Sequence, residues 1–261
     1  MTELVFDIET VPDIEHGKIL YSIENLNESD TAEALFALRR EKNGTNFLAH
    51  HLHRIVAISL VLASNNTIKV WSLGDESSSE SELIERFFAG IDKYKPTLIS
   101  WNGSGFDLPV LHYRALLHGV SAPTYGENGD NIQTFRYNNY LSRFHYRHLD
   151  LMDILSAYQN RAIAPLDEIA TLLGFPGKMG MSGAKVWEQF QMGNIKAIRD
   201  YCETDVLNTY GVYLRFELMR GNLSKNDYQF KLQNMIDYLS NESERPHLMS
   251  FADNIEQRAT L

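Results

Sequence analysis

The longest apolar run in the chain is residues 55–63, nine positions rich in Ile, Val and Leu with Ser59 as the single polar member. A membrane helix needs about 20 apolar residues, so this run does not span a bilayer. Its length and β-branched content predict a strand, and its lack of polar/apolar alternation predicts burial on both faces. A strand covered on both sides requires helices above and below its sheet. At 261 residues and 44% hydrophobic content, the chain has the material for one large domain, or one with an appendage.

Further strands are expected at 4–8, 67–72 and 97–101, where short apolar runs are bounded by turn residues. Helical spacing predicts helices at 83–94, 108–117, 151–159, 166–173, 185–190, 195–219 and 226–239. Residues 14–43 form a polar, helix-prone stretch with a break at 27–30. The patch Glu76-Ser77-Ser78-Ser79-Glu80-Ser81-Glu82 reads as a loop entering a helix, with serines as caps and glutamates at the positive end of the dipole. The segment from Ser240 is polar, contains Pro246, and is expected to strap the surface or fray. Strands first, a βαβ-like stretch, then helices indicates one α/β domain with a mixed sheet.

The formal net charge is −10. Residues 1–130 carry 10 Lys and Arg against 19 Asp and Glu, and residues 131–261 carry 14 against 15. Such a chain does not coat nucleic acid by bulk attraction. A nuclease remains compatible, because bound cations neutralise active-site carboxylates. The single cysteine, Cys202, forms no internal disulfide, and residues 1–9 lack the plan of an export signal, so a cytoplasmic location is expected.

Three motifs carry chemistry. In Phe6-Asp7-Ile8-Glu9-Thr10, strand alternation puts Asp7 and Glu9 on one face, where they repel unless water, a cation or a proton intervenes. In Trp101-Asn102-Gly103-Ser104-Gly105-Phe106-Asp107, a strand ends in a glycine loop and Asp107 opens the next helix. Strand ends of this kind hold ligands in α/β sheets, although an acidic residue at a helix start is also an ordinary N-terminal residue. In Tyr201-Cys202-Glu203-Thr204-Asp205, the i, i+4 spacing puts Tyr201 and Asp205 on one helix face. Each motif alone has an ordinary structural explanation. Together they form a pattern.

That pattern resembles the DEDD-type 3′–5′ exonucleases with a tyrosine, the group that includes the proofreading domain of family-B DNA polymerases. It is most similar to the stand-alone predicted exonucleases related to that domain. The resemblance runs from Leu4 to about Arg215 and implies that His148-Leu149-Asp150-Leu151-Met152-Asp153 is the strand-to-helix segment between the second and third motifs. It implies a ribonuclease-H-like mixed β-sheet flanked by helices, with an exonuclease domain expected over 1–221 and a C-terminal helix and tail over 222–261 packing on it; the helix-prone insertion at about 14–50 is a departure from the proofreading pattern. It also implies that Asp7, Glu9, Asp107 and Asp205 are catalytic and hold two divalent cations, Mg²⁺ or Mn²⁺, about 3.5–4 Å apart. Tyr201 would orient the attacking water. The histidine subfamily would place its histidine at 200, where this chain has Asp200.

The substrate implied is nucleic acid with a 3′ end, single-stranded DNA first. An RNA-trimming enzyme or a non-catalytic binding module of the same fold are the alternatives. Asn102, Phe106 and Thr10 are candidates for contact with the terminal nucleotide, with Asn102 equally suited to closing its turn. Residues 135–148 interleave Arg136, Arg143 and Arg147 with five aromatics and no acid, a composition suited to a single-strand path or to a connector whose rings fill the core. Lys178 and Lys185 flank a glycine loop that could touch phosphate. His50, His51 and His53 lack the pattern of a metal site and read as loop histidines. The stretch beyond residue 221 is too short for a polymerase domain, so any polymerase or repair partner is expected in trans.

Overall fold

The computed structural model describes residues 2–261. Five strands, β1 (Thr2–Pro12), β2 (His53–Ser64), β3 (Thr67–Ser72), β4 (Thr97–Ser100) and β5 (His148–Asp150), form one sheet in the order β3-β2-β1-β4-β5. β1–β2 and β2–β3 pair antiparallel, whereas β1–β4 and β4–β5 pair parallel. This mixed sheet with helices on both faces is the expected α/β, ribonuclease-H-like fold.

Alternation along β1 separates the two layers. Leu4, Phe6 and Ile8 enter one core with Leu83, Ile84 and Phe87 of α3 (Glu80–Tyr94) and Leu111 of α4 (Asp107–His118). Val5 enters the other, with Val206, Leu207 and Tyr210 of α8 (Ile195–Met219). Asp7 and Glu9 continue the Val5 face, which directs them toward α8. The register of β1 against β2 shifts between Glu9 and Thr10, at the end of the acidic motif.

The helix-prone stretch after β1 forms α1 (Ile14–Tyr21) and α2 (Glu28–Asn43), capped by Asp13 and Asn27, with Leu35, Leu48 and Leu52 as a small core of their own. α6 (Leu166–Leu173) and α8 have the expected bounds. α5 (Leu151–Leu155) is shorter than expected because Ala157 and Tyr158 adopt left-handed φ of 51° and 59° and turn the chain. α7 is Val186–Gln191 and α9 is Lys225–Ser240, the latter opened by a capping box of Ser224 and Asp227.

The segment after Ser240 does not fray but packs on the domain as two helices, α10 (Pro246–Asp253) and α11 (Gln257–Thr260), and Leu248, Phe251 and Ala259 are fully buried beside Tyr228 and Leu232 of α9. The 76–82 patch enters α3 as expected, with Ser79 as N-cap and Glu80 and Glu82 in the first turn, and Glu80 has further partners. It is buried, accepting from Ile55 N at 2.6 Å and Arg114 Nε at 2.8 Å, while Arg114 also reaches Asp13. Among the described residues no helix is long and apolar enough to cross a membrane.

Candidate active site

β1 runs past its last paired residue on β4, Val5, so its C-terminal end lies open on that side. There Ile8 N donates to Asp107 Oδ1 at 3.1 Å, which places the first residue of α4 beside the acidic motif. From the other layer α8 brings Tyr201, Cys202 and Asp205. Cys202 Sγ lies 3.5 Å from both the carbonyl oxygen and Oδ2 of Asp7. Tyr201 and Asp205, one helical turn apart on α8, sit close enough for the phenol to favour the charged carboxylate. Ligand atoms of Asp7, Glu9 and Cys202 all lie within 4.8 Å of one another, the one such group among the described residues. His50 and His51 lie in the turn before β2, whereas His53 is not a loop histidine but the buried first residue of β2.

Electrostatics report the same convergence. Burial, then the charges of Asp107, Glu9 and Asp205, push the Asp7 carboxyl well above its ordinary range. Burial, with Asp205 and Asp107 nearby, does the same to Glu9. Burial raises Asp107 to about 7. It raises Asp205 to about 6, with the Tyr201 hydroxyl and the Lys178 ammonium working against the rise. Lys178 itself lies 3.2 Å from Asp167. Burial and the neighbouring carboxylates push the Tyr201 phenol far above its usual value, so it stays protonated and acts as a donor.

The second-motif loop is held from below. Asp150 accepts from Asn102 N at 2.9 Å and Ser104 N at 2.8 Å, and its Oδ1 also caps α5 through Met152 N at 3.1 Å. Asn102 has a left-handed φ of 64°, and its carbonyl accepts from Gly105 N and Phe106 N, so it closes the turn. A Cβ on Gly105 would lie 2.3 Å from Asn102 Oδ1, so a side chain there would make the Asn102 amide turn aside.

A cavity of about 620 Å³ adjoins Glu9 and Thr10, with Phe47, His53, Phe106 and Trp187 among its walls. Phe106 therefore faces a pocket beside the carboxylates, and the insertion supplies Phe47. Burial lowers His53 to about 4, so its ring is neutral. Its Nε2 must donate to Leu48 O at 3.3 Å, so Nδ1 accepts and Thr10 Oγ1 donates to it at 2.8 Å. Thr10 then keeps its oxygen lone pairs for a donor in the pocket.

The three arginines separate. Arg147 is engaged with the fold, donating to Asn138 O and Lys95 O and lying 4.3 Å from the centre of the Phe135 ring. Arg136 is exposed, and Arg143 stacks on exposed rings at a second cavity.

Sequence reasoning missed Phe47 and Trp187, which no motif marks. It also missed how α8 is fixed in rotation. Glu203 points away from Tyr201 and Asp205 and accepts from Ser72 Oγ at 2.9 Å, with His247 Nε2 at 2.7 Å and Arg245 Nη1 at 3.6 Å. Both of these partners lie on the tail, for which the sequence suggests only strapping or fraying.

Sheet order and flanking helices define a ribonuclease-H-like protein, with the candidate site at the end of the first strand. Residues 45–255 match the family model of predicted 3′–5′ exonucleases related to the exonuclease domain of PolB, and the chain belongs to this family. The matched stretch includes Asp107, Tyr201 and Asp205, whereas β1 with Asp7 and Glu9 precedes it and joins the site through the fold. Comparison with curated proteins gives no match.

Proposed function

We propose that the chain is a metal-dependent 3′–5′ exonuclease acting on single-stranded DNA. The observation that carries this reading is the convergence of Asp7, Glu9, Asp107 and Asp205 from β1, α4 and α8, each with its carboxyl raised by burial. Like charges gathered out of water disfavour the fold unless something positive joins them. An all-carboxylate set suits a hard divalent cation such as Mg²⁺ or Mn²⁺, and these four side chains would hold two. Bound there, the cations would supply Lewis acidity and charge neutralisation to the phosphodiester.

The chain's own groups do the rest. The Tyr201 hydroxyl, beside Asp205 and unable to ionise near neutrality, orients water rather than removing its proton. The pocket beside Glu9 takes the terminal base between apolar walls, and Thr10 accepts a hydrogen bond there. Lys178, close enough to bias Asp205, offers a cation to the phosphate backbone.

Tyr201→Phe tests the orienting role. Turnover of a 5′-labelled single strand is expected to fall about a hundredfold, the cost of a misplaced reacting group, with strand affinity retained. Unchanged turnover would remove the hydroxyl from the reaction.

A further inference from the structure

We propose that an arginine–aromatic surface on the far side of the 102–106 loop holds the upstream bases of the same single DNA strand whose 3′ end lies at the carboxylates. The proposal rests on the exonuclease reading. The loop has a cavity on each flank: Phe106 lines the one beside Glu9, and Ser104 lines a second, of about 400 Å³, with Arg143, Phe144, Tyr146, Tyr158 and Arg220. The two cavities share the 102–106 loop as a border, so a strand leaving the first along that loop reaches the second.

The chemistry of this surface suits unpaired bases. Phe144 and Tyr146 are 79% and 62% exposed, although neighbouring rings of the same segment, Phe135 and Tyr140, fill the core. Arg143 lies 4.8 Å from the centre of the Tyr158 ring and 5.8 Å from that of Phe144, and Arg220 lies 4.9 Å from that of Tyr146. Aromatic faces beside guanidinium groups stack bases of any sequence. Asp153, 3.8 Å from Arg143, and Glu217, 3.4 Å from Arg220, offset part of the positive charge, so stacking is the main source of affinity.

The rings are also presented rigidly. Asn139 Oδ1 accepts from Leu141 N and Ser142 N, Asn139 N donates to His145 Nδ1 at 3.0 Å, and Tyr140 donates to Pro96 O at 2.7 Å. Arg147 locks the base of the same loop. Exposed rings on a pinned loop lose little entropy on binding.

The test compares 5′-labelled DNA of two and of about ten nucleotides, the longer within the span of comparable single-strand sites. For the wild type, KM is expected to be at least about tenfold lower on the longer strand, and the Phe144→Ala/Tyr146→Ala double variant is expected to abolish that advantage. A double variant that keeps the wild-type length dependence overturns the proposal. A second arm measures binding of the longer strand by fluorescence anisotropy with chelator present. If the wild type cuts neither strand, the exonuclease reading fails, and this arm decides the surface: an affinity loss of about tenfold in the variant supports it and equal affinity overturns it. An affinity loss seen with RNA but not with DNA overturns the assignment to DNA.

Discussion

Asp7→Asn is expected to abolish strand cleavage and, in the absence of metal, to raise the melting temperature at pH 8. Asp7 faces Asp107, Glu9 and Asp205 from the end of β1, and its charge is disfavoured there first by burial and then by those neighbours. Losing one of the carboxylates that would hold the cations would remove charge stabilisation worth several kcal/mol, a rate loss of about a thousandfold or more. The stability effect has the opposite sign. Carboxyls whose folded pKa is raised contribute stability below their unfolded value near 4, and that contribution is lost as pH rises through the folded values. Those folded values are about 6 for Asp205 and about 7 for Asp107. The gain from Asp7→Asn should therefore be large at pH 8 and small at pH 5, where the cluster already holds protons. Thermal melts at both pH values, with and without Mg²⁺, read this directly. A melting temperature lowered by Asp7→Asn at pH 8 without metal would show that the cluster is not under electrostatic strain.

Arg114→Ala is expected to destabilise the fold by about 3–5 kcal/mol, the cost of leaving buried charges without their partner. Arg114 is 5% exposed and joins Glu80 at the start of α3 to Asp13 at the end of β1. Without the guanidinium, two carboxylates remain in a low-dielectric site. Arg114→Lys should recover little, because an ammonium cannot reproduce the fork that meets Asp13 and both Glu80 oxygens. Urea denaturation of the three proteins gives the comparison. A loss under about 1 kcal/mol for Arg114→Ala would mean that Asp13 and Glu80 find water or other donors.

The sequence revealed elements with long, uniform patterns and obscured those defined by distant partners. The apolar run inside β2 and the spacing of α8 located both elements to within a residue or two. β5 has only three residues, too few for periodicity, and was reached only through the family resemblance. Leu248 and Phe251 are isolated apolar residues in a polar stretch, and their burial depends on α9, which no local pattern connects to them. Glu80 reads as a dipole-favoured helix start until Arg114, 34 positions away, is placed beside it. In the candidate site, the carboxylates and Tyr201 were legible as motifs, and the fold brings them together. Residues 135–148 were legible in composition but not in direction: the backbone turn at 139–142 sends Arg147 into the structure and Arg143 outward. Phe47 reaches the pocket only because α1 and α2 fold back over the end of β1, so its neighbours in sequence carry no sign of it.

The most direct measurement is digestion of 5′-labelled single-stranded DNA, with RNA in parallel, in Mg²⁺, Mn²⁺ or chelator. A ladder shortening from the 3′ end, present with either metal and lost both with chelator and in Asp7→Asn, is the predicted result. Strands that stay intact in every metal, or a ladder that persists in Asp7→Asn, would contradict the assignment of the carboxylate cluster as the catalytic centre.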